Sequence, residues 1–176
     1  MRIEKDLLLR GGFGGLLSGL GLSHGWVLLM WLGIAFLWSV NSNISASFLW
    51  GLVIVLVSHS WLLALHPLDW IGVPVPLSFA IAIGIWIFCS CVAGSLVALW
   101  SCFCNSSLLV DLRDGFFWQK LIFAVVLSCA WGLAEVSLAH SPLFWIGIGG
   151  SVLPGDRPLA GLARWIGAGG LATVQL

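Results

Sequence analysis

The chemistry open to this sequence rests on a handful of ionisable side chains set among long apolar runs. One stretch stands out, from Trp131 to Gly170: WGLAEVSLAHSPLFWIGIGGSVLPGDRPLAGLARWIGAGG. A hydrophobic helix there carries one acid, Glu135. A loop rich in Pro, Gly and aromatic residues follows and holds Asp156 and Arg157. A second helix opens at Pro158 with Arg164 just inside it. A carboxylate among apolar helices is costly unless it is paired or protonated. Arg157 lies at the mouth of the second helix and Arg164 about two turns inside it. Two helices joined by one loop pack antiparallel, so either Arg is within reach of Glu135. Arg164 is the preferred partner, because an Arg at that depth also needs a counter-ion. The competing reading has Glu135 reach the outer interface and pair with nothing.

Two other sets of residues invite a chemical reading. His59 falls in an apolar run, where an ionisable group is a candidate proton relay; the plainer reading is a neutral ring bonded to a neighbouring helix or near the interface. The five cysteines stand at 89, 91, 102, 104 and 129, with C-x-C occurring twice. On a helix, side chains two residues apart point about 200° away from each other, so neither pair chelates a metal. Cys91 and Cys102 share a face but are three turns, roughly 16 Å, apart. The cysteines read as small apolar fillers, with no disulfide framework. No metal site and no cofactor are expected.

The elements that position these residues follow from composition. The chain is 60% hydrophobic and 8% charged, with mean hydropathy +1.09. That leaves too little polar surface for a soluble domain of this length. Arg10 is the only charged residue from Leu7 to Leu68, and none lies between Asp69 and Asp111. Twelve Trp with no Tyr suit bilayer interfaces. Zero formal net charge and no basic patch give no footprint for nucleic acid. The expected fold is all-α, a polytopic membrane helix bundle of about six segments. These run over roughly 7–22, 26–40, 46–65, 77–100, 119–140 and 158–176, the last cut short. Gly11, Gly15 and Gly19 form a small-residue stripe for close helix packing. Residues 66–76 and 142–157 read as loops, since Pro and Gly forbid regular helix there.

Arg2, Lys5 and Arg10 place the N-terminus in the cytoplasm by the positive-inside rule. The 101–118 connector, with Arg113 and Lys120 nearby, then falls inside. The loops centred on Trp70 and Trp145 fall outside, where they would lie at the interface and shape an entry for a lipid. The expected location is the inner membrane of a bacterium, crossed several times.

At four places the residues resemble one family, the bacterial apolipoprotein N-acyltransferases. Trp50-Gly51, followed by Trp61 and then Gly72-Val73-Pro74, resembles the third helix and loop of that family's membrane domain. Trp131 with Glu135 resembles its W-x-x-x-E. Ser141-Pro142-Leu143-Phe144-Trp145, then Gly147, is similar to its Pro-aromatic-Gly loop. Pro158-Leu159, Gly161-Leu162-Ala163, Gly167 and Gly170-Leu171 resemble the opening of its sixth helix. The order and spacing agree over most of the chain. The family commonly has an Arg three residues after the Glu, where this chain has Leu138.

The resemblance implies transfer of an acyl chain from a phospholipid to the N-terminal diacylglyceryl-cysteine of a lipoprotein. In the family that chemistry belongs to a nitrilase-like domain with a Glu-Lys-Cys triad, and no part of residues 1–176 matches it. The five cysteines have no Lys/Glu pair near them in sequence to activate a thiolate. The chain is therefore expected to be an N-terminal transmembrane domain, inactive alone and ending short of the catalytic domain. It would scaffold that partner and admit phospholipid and lipoprotein from the bilayer. Glu135, Arg164, Arg157, Trp145, Trp70 and His59 are its structural or lipid-entry candidates, with no catalytic residue. The alternative is a small membrane transporter using Glu135 and His59, or an accessory membrane subunit. The transporter is disfavoured by the lack of an internal repeat.

Overall fold

The computed structural model describes residues 2–140, 147–152 and 157–176, and these are helical with no strand among them. Each of the six expected segments is a helix, with boundaries that shift for local reasons. α1 is Arg2–His24. It starts five residues before the expected Leu7 because Glu4, Lys5 and Arg10 are good helix formers and Glu4 suits the positive end of a helix. α2 is Val27–Val40. α3 is Ile44–Ser58, capped by Asn43, whose side chain accepts from the Ala46 amide at 2.8 Å.

α3 ends seven residues earlier than expected. The apolar run continues, but as a 3-10 helix over Ser60–Leu65, and hydropathy does not distinguish the two backbones. His59 therefore sits at the C-cap of α3 rather than within a span. The Pro-rich connector holds a second short 3-10 helix, Asp69–Ile71, closed by Gly72 at φ 79°. The Ser78 hydroxyl anchors it, accepting from the Leu68 amide at 2.7 Å and meeting His66 Nδ1 at 3.0 Å.

α4 is Val75–Cys104, 30 residues. It absorbs Pro76, which the sequence reading left in the loop, because a first-turn proline has no intrahelical donor to lose. The next connector contains a 3-10 helix at Ser107–Leu109 and a short α5, Val110–Asp114. α6 is Phe117–Ala139. A 3-10 helix at Ile148–Val152 precedes α7, Arg157–Gln175.

α4 and α6 are long and apolar enough to cross a bilayer, reaching about 45 and 35 Å against a hydrocarbon core of about 30 Å. The 14 and 15 residues of α2 and α3 reach only about 21–23 Å. So two helices, rather than six, have the length and composition of a full span among the described residues.

α1 packs on α2 and α3, α3 on α4, and α6 on α7. Small residues allow the first set. A Cβ on Gly15 would lie 2.6 Å from the Trp50 carbonyl, and one on Gly51 2.8 Å from that of Ala93. Trp50 is fully buried and donates Nε1 to the Gly33 carbonyl at 2.9 Å. The core is apolar, around Met30, Leu37, Trp50 and Leu127, and much of the surface is apolar as well. Ser18, Ser47, Ser78, Ser90, Ser101 and Glu135 are buried, while Leu28, Phe88, Leu99, Leu133 and Trp165 are exposed.

Candidate functional site

Trp131 and Glu135 are one turn apart on α6 and face the same way. The Trp131 ring packs edge-on against Trp50 of α3 and Trp100 of α4, with centroids 6.3 and 5.5 Å away. Glu135 is 6% exposed. Its Oε1 accepts from Trp131 Nε1 at 2.9 Å and from the Ile148 amide at 2.7 Å; its Oε2 accepts from the Gly149 amide at 3.2 Å. A buried carboxylate thus caps the start of the Ile148–Val152 3-10 helix. The amides at such a start have no partner within their own turn.

Glycine is required where the carboxylate sits. A Cβ on Gly147 would collide with the Glu135 carboxyl group, and one on Gly149 with the Ala168 carbonyl. Beneath the turn, α6 and α7 cross at Gly132 and Gly169, each lying against the other's carbonyl. Gln175 Nε2 donates to the Ile148 carbonyl at 3.0 Å, and Thr173 Oγ1 to the Ser128 carbonyl at 3.3 Å. α7 breaks at Gly167, whose φ of 65° and ψ of −175° belong to a region open essentially to glycine alone.

The Glu135–Arg164 pair does not form. Arg164 is exposed, with its guanidinium 5.9 Å from the centre of the Trp165 ring. The one ion pair among the described residues joins Arg113 to Asp114 at 3.0 Å in the α4–α6 connector. Three N–H donors already serve the carboxylate, so no cation is needed at that depth. The unpaired, surface-reaching alternative fails for the same reason. Arg157 opens the backbone of α7, and Trp145 lies outside the described residues. Trp70 is 75% exposed on its connector. His59 is buried, with Nδ1 2.8 Å from the Ser58 hydroxyl. It and Glu135 border the same void of about 20 Å³, together with Trp50, Trp131 and Ile148.

The sequence reading brought out Glu135 and His59 but missed Gly147, Ile148, Gly149, Thr173 and Gln175. The available signal was the Gly147-Ile148-Gly149-Gly150 run, where backbone amides are open to a close acceptor.

Two larger clefts flank Glu135. One, of about 250 Å³, lies between α4 and α6. The other, of about 420 Å³, is lined by Val136, Ala139 and His140 at the end of α6 and by Gly147, Gly150 and the 167–169 break. Both carboxylate oxygens of Glu135 are engaged by N–H donors, two of them from the 148–152 turn. No group of three potential metal ligands exists among the described residues.

No family model matches the chain, and no solved structure matches it. Curated relatives do. The chain is 54% identical, over 96% of its length, to a protein of Prochlorococcus marinus strain MIT 9313 named apolipoprotein N-acyltransferase. It is 51% identical over 99% of its length to the protein of that name in P. marinus strain SARG. For the one in Parasynechococcus marenigrum the figures are 50% and 99%. The chain spans about a third of the length of these relatives, between 34% and 36%. The resemblance read from the motifs holds along nearly the whole chain.

Proposed function

We propose that this chain, a relative of apolipoprotein N-acyltransferases over nearly all its length, forms the membrane-embedded part of such an enzyme. The observation that carries the reading is the similarity to those relatives over 96% to 99% of the chain. The apolar surface supports the placement in lipid, since exposed Leu, Phe and Trp suit a hydrocarbon solvent. In this reading the helices cross the inner membrane of a bacterium several times, with the N-terminus in the cytoplasm. They support an acyl-transfer domain whose catalytic residues lie beyond residues 1–176, and they admit a phospholipid and a lipoprotein from the bilayer. The Glu135 clamp then serves as a fixed point beneath the outer loop on which that domain would rest.

The chain by itself is not expected to transfer acyl groups. Among the described residues, no cysteine shares a hydrogen bond with a lysine or an acid, as an activated thiolate would require. A hybrid tests the reading. The matching third of the P. marinus strain MIT 9313 relative is replaced by this chain, and N-acylation of a diacylated lipoprotein is measured in membranes. Retained acylation by the hybrid, with none from the chain alone, is the expected result. A hybrid that inserts normally but is inactive would contradict the proposal.

A further inference from the structure

α7 is two half-helices joined at Gly167. The second half belongs to the bundle: Gly169 lies against Gly132 of α6, and Leu171 and Ala172 are buried. The first half does not. Gly161, Leu162, Arg164, Trp165 and Ile166 are all exposed, Trp165 by 80%. A Cβ on Gly161 would meet nothing within 4 Å. Residues 157–166 therefore form an arm of about three turns that stands off the bundle.

The arm has two unlike faces. At about 100° per residue, Leu162 and Ile166 share one face and stand about 160° from Arg164. Trp165 lies on the flank between that pair and Arg164. By helical register Arg157 falls within about 20° of Arg164. Arg164 has no acidic partner among the described residues, and its guanidinium is 5.9 Å from the centre of the Trp165 ring. A helix that is apolar on one face, cationic on the other and carries Trp suits the boundary between lipid and water. There arginine meets phosphate oxygens and Trp keeps one edge wet.

The place of the arm names what covers it. α7 crosses α6 at Gly132 and Gly169, and one cleft is lined both by Ala139 and His140 at the end of α6 and by Gly167 and Ala168. The arm thus leaves the bundle at the level where α6 ends. α6 is long and apolar enough to cross a bilayer, about 35 Å against a hydrocarbon core of about 30 Å. Its two ends therefore mark the two boundaries. Exposed aromatics stand at the first, Phe116, Phe117 and Trp118 at the start of α6, and Trp165 stands at the second. That is the paired arrangement of interfacial aromatic belts.

We propose that the 157–166 arm is a membrane-surface anchor, with Leu162, Trp165 and Ile166 set among the upper methylenes of the lipid and the arginine face, Arg164 and Arg157, on the phosphates of anionic phospholipid. The inference rests on the membrane placement proposed above and names the class of lipid bound and where.

The test uses the 176-residue chain in phosphatidylcholine nanodiscs with a trace of phosphatidylglycerol carrying a diazirine at the head of one acyl chain. Adducts formed on illumination are mapped by mass spectrometry. They are expected on 161–166 as well as on 116–118. Arg164→Gln should lower the arm adducts about fivefold, the ~1 kcal/mol that one cation contributes near an anionic lipid surface, and leave those on 116–118 unchanged. Arg157→Gln, on the same face, should act similarly and serves if the first variant fails to fold. A phosphatidylcholine with the same diazirine should label the arm equally in wild type and variants. An arm that neither lipid labels, or phosphatidylglycerol adducts that survive in both folded variants, overturns the proposal. So do cross-links from the arm to a second copy of the chain in place of lipid adducts. A chain that stays out of the nanodisc overturns both the membrane placement and this inference. The expected labelling beside an inactive hybrid enzyme leaves the anchor standing and removes only the acyltransferase reading.

Discussion

The α1–α4 part and the α6–α7 part bring helices together in different ways. α1, α2, α3 and α4 approach through glycine and alanine until backbones touch, as at Gly15 on the Trp50 carbonyl and Gly51 on that of Ala93. Some of their hydroxyls bond within their own helix, as Ser90 does to the Trp86 carbonyl and Ser95 to that of Cys91, and others reach another element, as Ser47 does to the Val40 carbonyl and Ser101 to that of Asn41. α6 and α7 also touch through Gly132 and Gly169. Here the polar bonds converge on one turn between them, from Glu135 to the Ile148 and Gly149 amides and from Gln175 to the Ile148 carbonyl. Between α2, α3 and α4 the polar bonds run from side chains to carbonyls of helices whose own amides are already paired, as from Trp50 to Gly33 and Trp86 to Leu56. A short 3-10 helix packed against α7 needs the amides at its start satisfied, and Glu135 does that for Ile148 and Gly149.

The largest expected effect falls on the polar part. Glu135→Ala leaves two buried amides and one indole without an acceptor. At about 1–3 kcal/mol for each buried amide, it should cost roughly 2–6 kcal/mol in a nanodisc melt. A loss no larger than that of an exposed alanine substitution would break the contrast between the two parts. Glu135→Gln, which keeps one oxygen, should cost less than half as much.

The packing part should respond to volume instead. In Gly33→Ala the new methyl would meet the Ser18 hydroxyl and the Gly14 carbonyl of α1, at a cost of about 1–3 kcal/mol. Gly84→Ala in α4 meets nothing within 4 Å and should stabilise by about 0.5–1 kcal/mol through helix propensity. Equal effects at the two glycines would show that backbone contact is not what holds α1 to α2.

Smaller effects sharpen the assignment of partners. Because Arg164 is exposed and apart from Glu135, the losses in Glu135→Gln and Arg164→Gln should add, with coupling below about 0.5 kcal/mol. Strong coupling in a double-mutant cycle would restore the ion pair. The smallest effect is expected at Asp114. The hydrogen bond from Arg113 holds its carboxyl below the usual carboxylate range. A depressed acid stabilises above its unfolded pKa and loses that contribution as pH falls through its folded value. The pair is exposed and screened, so Asp114→Asn should leave the melting temperature unchanged at pH 7. Acid titration of wild type and variant should be nearly superimposable.

Much of this was legible in the sequence. Long apolar runs located all six main helices, and the Gly11, Gly15 and Gly19 stripe does meet α3, at Ala46, Trp50 and Val57. The isolated acid at Glu135 marked the right place. Its partners were illegible because they are backbone amides, which every residue but proline carries and no side-chain pattern reports. Charge reasoning therefore turned to Arg164, the visible cation. The end of α3 was missed because Trp61, Leu62 and Leu63 keep the run apolar while the backbone tightens. The break in α7 was signalled only by Gly167 itself, in a run where Gly169 and Gly170 serve packing.

The central claim is that the Glu135 carboxylate, through N–H bonds and not through a cation, holds the 147–152 turn inside the bundle. Hydrogen–deuterium exchange of the chain in nanodiscs, read for the peptide spanning 147–152 in wild type and Glu135→Ala, tests it most directly. The account predicts slow exchange there in wild type and fast exchange in the variant, with α1–α4 protection unchanged. Protection of 147–152 that survives in Glu135→Ala would contradict it.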